Sequence, residues 1–302
     1  MARLIHTFSK PSYSLTMSPD GKWIGQNKSS RINLFDAVTY EQAASFKDIP
    51  YISKEVFSSD SKYLLAKSTA CKLALYDLDK MELAHKHKIK KNAQPQDLGI
   101  CFSSDNKKII DLVYNNDLLG YIAVWDIETW NETRYYEGEN NVFQTVVSLK
   151  SNGKCFISGH RRDNSGVFCD PFFMWFDVHK GIGEFIDTNF AVGTKFIFAE
   201  KLDSMFAYHD YNATVTFLQE KRTVQLTEND IVKSIAMSAD NTKTAILFGK
   251  QAVIYDFPSM ESVAKLNVMI GIGGVGKISF SPDGRMVLIG TGSGYGGLYA
   301  LD

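Results

Sequence analysis

Long apolar runs and an excess of charge of one sign are what this 302-residue sequence most clearly lacks. No apolar run approaches the roughly 18 residues that a membrane-spanning helix needs. The formal net charge is −1, so no overall field attracts nucleic acid or acidic membranes. Residues 1–10 contain no apolar core long enough for a signal peptide. These scarcities argue against nucleic acid and membranes as partners, and they predict an intracellular protein, cytoplasmic or nuclear.

Cysteine is also scarce, with four residues at Cys71, Cys101, Cys155 and Cys169. They lie in different parts of the chain and lack the short spacing of a metal site. The six histidines show no spacing typical of a nucleophile and its base. We therefore expect buried free thiols in a reducing compartment, with no bound metal and no cofactor.

What the sequence contains instead is a pair of turn signals that recurs seven times. The first is a Ser-x-Asp-like turn after a short apolar strand, and the second is an apolar or aromatic residue followed by Asp. Copies of the first signal occupy 17–21, 57–61, 102–106, 149–153, 237–241 and 280–284, with a degraded copy ending at Asp203. Copies of the second are Phe35-Asp36, Tyr76-Asp77, Trp125-Asp126, Phe176-Asp177, Tyr255-Asp256 and Leu301-Asp302, with a degraded copy at Leu218-Gln219.

The spacing of these signals predicts four strands in each repeat. One strand precedes the Ser-x-Asp turn, a short apolar strand follows it, a third ends at the apolar-Asp pair, and a more polar fourth completes the unit. In the Ser-Pro-Asp-Gly copies we expect the Asp side chain to bond to nearby backbone, and Gly21 and Gly284 to adopt positive φ. Seven repeats in 302 residues give a period of about 43 residues, which is typical of a β-propeller with four strands per blade.

The repeat resembles that of the WD-repeat propeller family along the whole chain, although only Trp125-Asp126 has the Trp-Asp dipeptide and the early Gly-His pair is missing. The predicted fold is all-β: one domain, residues 1–302, forming a seven-bladed β-propeller of four-stranded antiparallel blades. The last repeat supplies only three strands before Asp302. We therefore expect residues 3–8 to add the fourth strand to this blade and to close the ring.

The distance between the two signals varies, and this variation predicts where the function lies. Repeats three, four and seven have insertions at 115–120, 161–172 and 292–297, between their second and third strands. Long loops on a rigid scaffold tend to carry function. The predicted partner-binding residues are the charged, apolar and aromatic side chains of these insertions: Arg161, Arg162, Phe168, Phe172, Leu118, Leu119 and Tyr295. In the alternative interpretation, the phenylalanines fold back onto the blade and the arginines are merely solvated.

The leading functional prediction is a non-enzymatic scaffold, either monomeric or a subunit of a complex, that binds another protein through one loop face. The alternative is a propeller hydrolase of the sugar-lactonase type, for which His160, Arg161 and His209 lie near the ends of second strands. Three weaker signals favour plain structural interpretations. The glycine-rich 271–276 leads into a strand and is predicted to be a connection between blades. His85, His87 and the basic run at 86–91 are predicted to form a solvated strand edge.

Overall fold

The structure is a computed structural model that describes residues 2–87, 99–114, 120–148, 153–163, 165–187, 195–199, 204–209, 212–217, 220–226, 230–249, 251–268 and 276–301. Within these ranges only the backbone is described for residues 148, 168, 187, 195–199, 204–209 and 212–214. All regular elements in the described ranges are β-strands, and no membrane-crossing helix is found among them.

Twenty-eight strands are described, and those of the N-terminal half come first along the chain. They are β1 (Ala2–Phe8), β2 (Ser14–Met17), β3 (Trp23–Asn27), β4 (Ile32–Asp36), β5 (Gln42–Phe46), β6 (Ile52–Phe57), β7 (Tyr63–Ser68), β8 (Leu73–Asp77), β9 (Glu82–His87), β10 (Ile100–Phe102), β11 (Lys108–Tyr114), β12 (Gly120–Asp126), β13 (Glu132–Tyr135) and β14 (Asn141–Ser148).

The described elements of the C-terminal half are also β-strands. They are β15 (Lys154–Arg162), β16 (Phe168–Asp177), β17 (Ile182–Asp187), β18 (Lys195–Ala199), β19 (Ser204–His209), β20 (Asn212–Phe217), β21 (Arg222–Gln225), β22 (Ser234–Met237), β23 (Lys243–Leu247), β24 (Gln251–Asp256), β25 (Ser262–Asn267), β26 (Lys277–Phe280), β27 (Met286–Gly290) and β28 (Gly296–Leu301).

These strands form seven four-stranded sheets, which we number in chain order. The first six contain consecutive strands, from β2–β5 to β22–β25, and the seventh has the order β1-β28-β27-β26. Residues 3–8, expected to complete the last blade, lie in β1, where Leu4 is opposite Tyr299 and Phe8 is opposite Gly296. The seven four-stranded antiparallel sheets predicted from the repeat are therefore present. Closure of a ring stays a prediction.

The chain divides into two compact units, residues 51–196 and residues 1–50 with 197–302. In the first of these, apolar layers fill the space between sheets two and three, around Leu75 and Trp125, and between sheets three and four, around Phe143 and Phe172. In the second, separate layers join sheets five and six, six and seven, and seven and one. Burial on both faces explains why the second and third strands are almost continuously apolar.

The Ser-x-Asp signal forms the turn between the first and second strands of a sheet. Ser18 Oγ donates to Asp20 Oδ1 at 2.6 Å, and the Trp23 backbone N–H donates back to Ser18 Oγ at 2.9 Å. The same bonds recur in the turns at Ser58, Ser103, Ser238 and Ser281. Gly21 and Gly284 have φ values of 75° and 68°. The predicted turn chemistry is confirmed.

The apolar-Asp signal forms the turn between the third and fourth strands, at the same end of the sheet. Asp36 Oδ1 accepts hydrogen bonds from the backbone N–H groups of Val38 and Thr39, both at 2.8 Å. The N–H of Ala37 donates to the carbonyl of Lys22 in the neighbouring turn. Equivalent links between the two turns occur in sheets two, three and six. In sheets one, two, three and six, both sequence signals therefore belong to one hydrogen-bonded end.

Candidate interaction site

The hairpin of β15 and β16 in the fourth sheet is the main departure from the regular repeat. Its strands have 9 and 10 residues, whereas the equivalent strands of sheets two and three have between 5 and 7. The prediction of a loop over 161–172 is wrong in extent. Arg161 pairs with Cys169 and Arg162 with Phe168, so the turn itself covers only 163–167. Most of the insertion lengthens the strands.

The turn at the tip of this hairpin is held by a single carboxylate. Asp163 Oδ1 accepts bonds from Ser165 Oγ at 2.6 Å, from Ser165 N at 2.9 Å and from Val167 N at 2.9 Å. These bonds, with the one from the Ser165 hydroxyl contributing most, lower the pKa of Asp163 below its usual value. The Asp163 N–H also donates to the Val167 carbonyl at 3.0 Å. Val167, whose N–H donates to this carboxylate, has 59% of its surface exposed.

Two arginines flank this tip, as the sequence predicted, and each has a defined position. Arg162 Nε donates to the Gly166 carbonyl at 3.1 Å, which folds its side chain along the turn. The guanidinium of Arg161 lies 5.8 Å from the ring centroid of Phe172. Both side chains are partly exposed. The Arg162 side chain is thus held along the turn that carries the exposed Val167, whereas the Arg161 guanidinium is turned back toward Phe172 at the base of the hairpin.

Phe172 is not an exposed partner-binding residue, so this part of the site prediction is wrong. Its side chain is fully buried, with ring centroids 5.0 Å from Phe185 and 5.9 Å from Phe143. The cause is a β-bulge at Asp170, which has a φ of 38°, followed by the pairing of Phe172 with Gly159. A Cβ at Gly159 would lie 2.9 Å from the Phe172 ring, so the glycine leaves room for this aromatic side chain.

The remaining predicted contact residues are distributed differently. Phe168 begins β16 and pairs with Arg162, and only its backbone is described. Leu118 and Leu119 lie outside the described residues. Tyr295 belongs to the other compact unit and is 56% exposed in the turn between β27 and β28. Sequence reasoning missed Val167, although an apolar residue beside Gly in a predicted loop was a signal available to it.

The residues proposed for the hydrolase alternative occupy structural positions where they are described. His160 is 1% exposed, and its Nε2 lies 3.0 Å from Gln144 Oε1. Burial lowers the pKa of His160. Arg161 is turned toward the Phe172 ring, and the side chain of His209 is not among those described. The described part of this set therefore offers packing and hydrogen bonding, with no imidazole open to solvent.

The weaker sequence signals also acquire a physical role where they are described. The His85 ring stacks on Trp130 at 4.8 Å between ring centroids, and His87 lies 4.4 Å from Trp125. Burial lowers the pKa of His87. The prediction of a merely solvated edge is wrong for these histidines, which pack against the next sheet. Residues 88–91 of the basic run and 271–275 of the glycine-rich segment lie outside the described residues.

The cysteines and the potential metal ligands are the remaining side chains that could carry reactive or metal-binding chemistry. All four cysteines are free thiols; Cys71, Cys101 and Cys155 are buried, and Cys169 is partly exposed. Burial raises the pKa of Cys71 to about 11, which keeps its thiol protonated and unreactive at neutral pH. Among the described residues, no group of three His, Cys, Asp or Glu side chains could hold a metal ion.

Comparison with known proteins settles the architecture. No family model matches the chain, and no curated protein matches its sequence. In three dimensions it superposes on the β-propeller domain of Cps50 (Swd1) from Myceliophteria thermophila with a TM-score of 0.78, over 100% of both chains and at 12% sequence identity. The chain has a seven-bladed β-propeller fold. Its seven sheets are the blades, and the fold resemblance to WD-repeat propellers is confirmed. Propellers serve many functions, so the activity must be argued from the site.

Proposed function

We propose that this propeller is a non-enzymatic scaffold that binds a partner protein, and that the tip of the β15–β16 hairpin is part of the binding surface. The observation that carries the proposal is Val167, which is 59% exposed in a turn where its N–H donates to Asp163 and where Arg162 donates to the Gly166 carbonyl. Arginine is enriched among interface hot spots, and an exposed apolar side chain beside it adds surface that binding can remove from water. A preformed turn also lowers the entropy cost of association, because little remains to be ordered on binding.

The hairpin is stiff for reasons that are local to the fourth blade. Asp163 closes the turn with three bonds to its side chain, and Phe172 fixes the base of the hairpin in the core. Arg161 bridges these two regions because it lies on the Phe172 ring while its backbone pairs with Cys169. In this proposal Phe172 supports the surface and does not touch the partner.

The test begins with a tagged full-length chain that captures its partner from the source cells, after which the partner is purified and its affinity is measured. We expect Arg162→Glu and Val167→Asp each to weaken binding by about thirtyfold, the effect of losing a hot spot worth about 2 kcal/mol. Their melting temperatures should stay close to that of the wild type, because both side chains are partly or largely exposed.

The matched control is Ile182→Asp, at a position 64% exposed in the same blade but at the end opposite the hairpin tip. This variant should bind the partner with wild-type affinity. Phe172→Ala should instead lose about 3–5 kcal/mol of folding stability, as deletions of buried aromatic rings do. Wild-type affinity in both hairpin variants, or loss of binding only in Ile182→Asp, would remove the hairpin from the binding surface.

A further inference from the structure

A second concave site lies in the other compact unit, between the sixth and seventh blades. It is a pocket of about 230 Å³ at the end of the blades opposite the Ser-x-Asp turns. The side chains that line it are the apolar and aromatic Leu4, Val268, Tyr295 and Tyr299 and the polar Thr7, Asn267 and Thr291. Leu4 is 52% exposed and Tyr295 is 56% exposed, so two large apolar groups border the opening.

The local backbone explains why these two side chains point away from the core. A register shift between Leu4 and His6 interrupts the pairing of β1 with β28. On the other side, Thr291 Oγ1 donates to the Tyr295 carbonyl at 2.6 Å, which fixes the turn that carries Tyr295. The same turn is tied to Ser12 by two backbone hydrogen bonds with Gly292, both at 2.9 Å. The walls of the pocket are therefore preformed.

Glycine keeps the floor of the pocket open. Gly296 and Gly297 directly follow Tyr295 in the sequence and lie in β28, and both line the pocket. A Cβ at Gly297 would lie 2.5 Å from Cε2 of Tyr299, and one at Gly296 would lie 2.5 Å from Ser12 Oγ. With glycine at position 297 the Tyr299 ring lies over bare backbone, whereas a Cβ at Gly296 would face Ser12 and Leu15 on the side of the first blade. The floor is thus formed by backbone, and the walls combine apolar and aromatic side chains with the polar side chains of Thr7, Thr291 and Asn267.

Size and charge identify the occupant. A volume near 230 Å³ is below the roughly 300–1,000 Å³ of ligand sites for small molecules, and it suits one large side chain. Tyr295 and Tyr299 offer ring faces for an aromatic group. Lys10 Nζ lies 5.6 Å from the Tyr295 ring centroid, and Lys265 is exposed on β25, two residues before the lining residue Asn267. None of the described lining residues is acidic.

We propose that this pocket binds an aromatic side chain of an acidic peptide segment in a partner protein. The aromatic ring would enter between Leu4 and Tyr295, while a flanking carboxylate would face the ammonium group of Lys10. Complementary charge around a central aromatic group is a common arrangement at specific interfaces. The site is separate from the β15–β16 hairpin, and the proposal does not depend on it.

The test uses fluorescein-labelled peptides and fluorescence anisotropy with the full-length chain. The first peptide has one Phe between glutamates, the second replaces that Phe by Ala, and the third replaces the glutamates by lysines. We expect the first peptide to bind at least about tenfold more tightly than either of the others. Tyr295→Ala should weaken its binding by a similar factor, and Thr7→Trp should abolish it by filling the pocket from an exposed position.

Two control variants separate this site from the rest of the molecule. Val38→Ala alters an exposed apolar residue of the same unit that does not line the pocket, so it should bind the peptide as the wild type does. Val167→Asp, at the hairpin tip, should do the same, so that failure of one proposal is distinguishable from failure of the other. Circular dichroism should give the same folded spectrum for all four variants.

Several results would overturn the proposal. One is no binding of the aromatic peptide up to about 1 mM, the affinity expected of a very weak contact. Another is equal binding of the Phe and Ala peptides, or unchanged binding in Thr7→Trp. Concentration-dependent dimerisation that Tyr295→Ala abolishes, without peptide binding, would assign the pocket to a second copy of the chain. Binding of phenol alone, with no effect of the glutamates, would make it an unspecific apolar cavity.

Discussion

The two ends of each blade differ in how their polar groups are used. At the turn end, which carries the Ser-x-Asp and apolar-Asp turns, five blades repeat the same Ser–Asp hydrogen bond at 2.6 Å. At the opposite end, the connections between second and third strands differ from blade to blade. The difference shows that repeated local chemistry builds the turn end of the scaffold, whereas the opposite end, whose connections differ between blades, carries both proposed sites.

The polar groups of the turns are partly exposed, whereas an ion pair between blades two and three is fully buried. Lys67 Nζ lies 2.6 Å from Asp111 Oδ1 and donates to the Leu112 carbonyl at 2.6 Å. The side chains are 0% and 1% exposed, and Asp111 Oδ2 has no hydrogen-bond partner in the structure. Because neither charge is solvated, each depends on the other for compensation.

The first prediction removes one member of this pair. Lys67→Met should destabilise the fold by about 3–5 kcal/mol, because it leaves the carboxylate of Asp111 buried without a cation. The double variant Lys67→Met with Asp111→Leu should recover most of this loss, since apolar side chains of similar size can replace a buried pair. Urea denaturation measures both. If the double variant is no more stable than the single one, the pair contributes more than mutual compensation.

The second prediction concerns the turn end, where single substitutions should cost less. Gly284 has a φ of 68°, and the nearest atom to an added Cβ would be Ser238 Cβ at an ordinary 3.5 Å. Gly284→Ala, which adds only this Cβ, should therefore cost about 1–2 kcal/mol through backbone strain, the cost of the left-handed region for an L-residue. Thermal denaturation of the purified variant provides the measurement.

The matched control for this substitution is Asn241→Gly, at the equivalent turn position in the sixth blade, where φ is 59°. Asparagine tolerates positive φ, so this change should alter stability by less than about 0.5 kcal/mol. Equal stability losses in the Gly284 and Asn241 variants would show that side-chain contacts, and not the backbone conformation, determine the cost at this position.

The turn end could be predicted from the sequence because its partners are close along the chain. Ser18, Asp20 and Trp23 lie within five residues of one another, so the residue types and spacing specify the bonds. The pair of Lys67 and Asp111 joins residues 44 apart, and only the pairing of two blades brings them together. The sequence signal for this pair was a charged residue inside each of two otherwise apolar strands.

The hairpin of blade four shows a second limit of sequence reasoning. The length of the insertion predicted a loop over 161–172. Length alone, however, does not specify whether the added residues extend the two strands or form a loop between them. The β-bulge at Asp170 decides the outcome, because it turns Phe172 toward Gly159 and the core. A bulge depends on the register of the partner strand, which no local pattern in this segment reveals.

The smallest expected effect is the pH dependence of the turn carboxylates. The hydrogen bond from Ser238 Oγ, at 2.6 Å, is the main reason that the pKa of Asp240 falls to about 2, from an ordinary value of 3.8. A carboxyl group with a lowered folded-state pKa stabilises the fold above its unfolded pKa. That stabilisation is lost as the pH falls from about 4 to about 2. Burial raises the pKa of Asp111, so its titration has the opposite sign.

The third prediction follows from this sign. At about pH 5, the melting temperature of Asp240→Asn should be lower than that of the wild type. This difference should shrink as the pH falls toward about 2, because the Asp240 carboxyl of the wild type then becomes protonated as well. Asn241→Gly, in the same turn, removes no titrating group, so its difference from the wild type should be the same at both pH values. If the difference in melting temperature between Asp240→Asn and the wild type stays constant on acidification, the contribution of this side chain to stability does not depend on its charge.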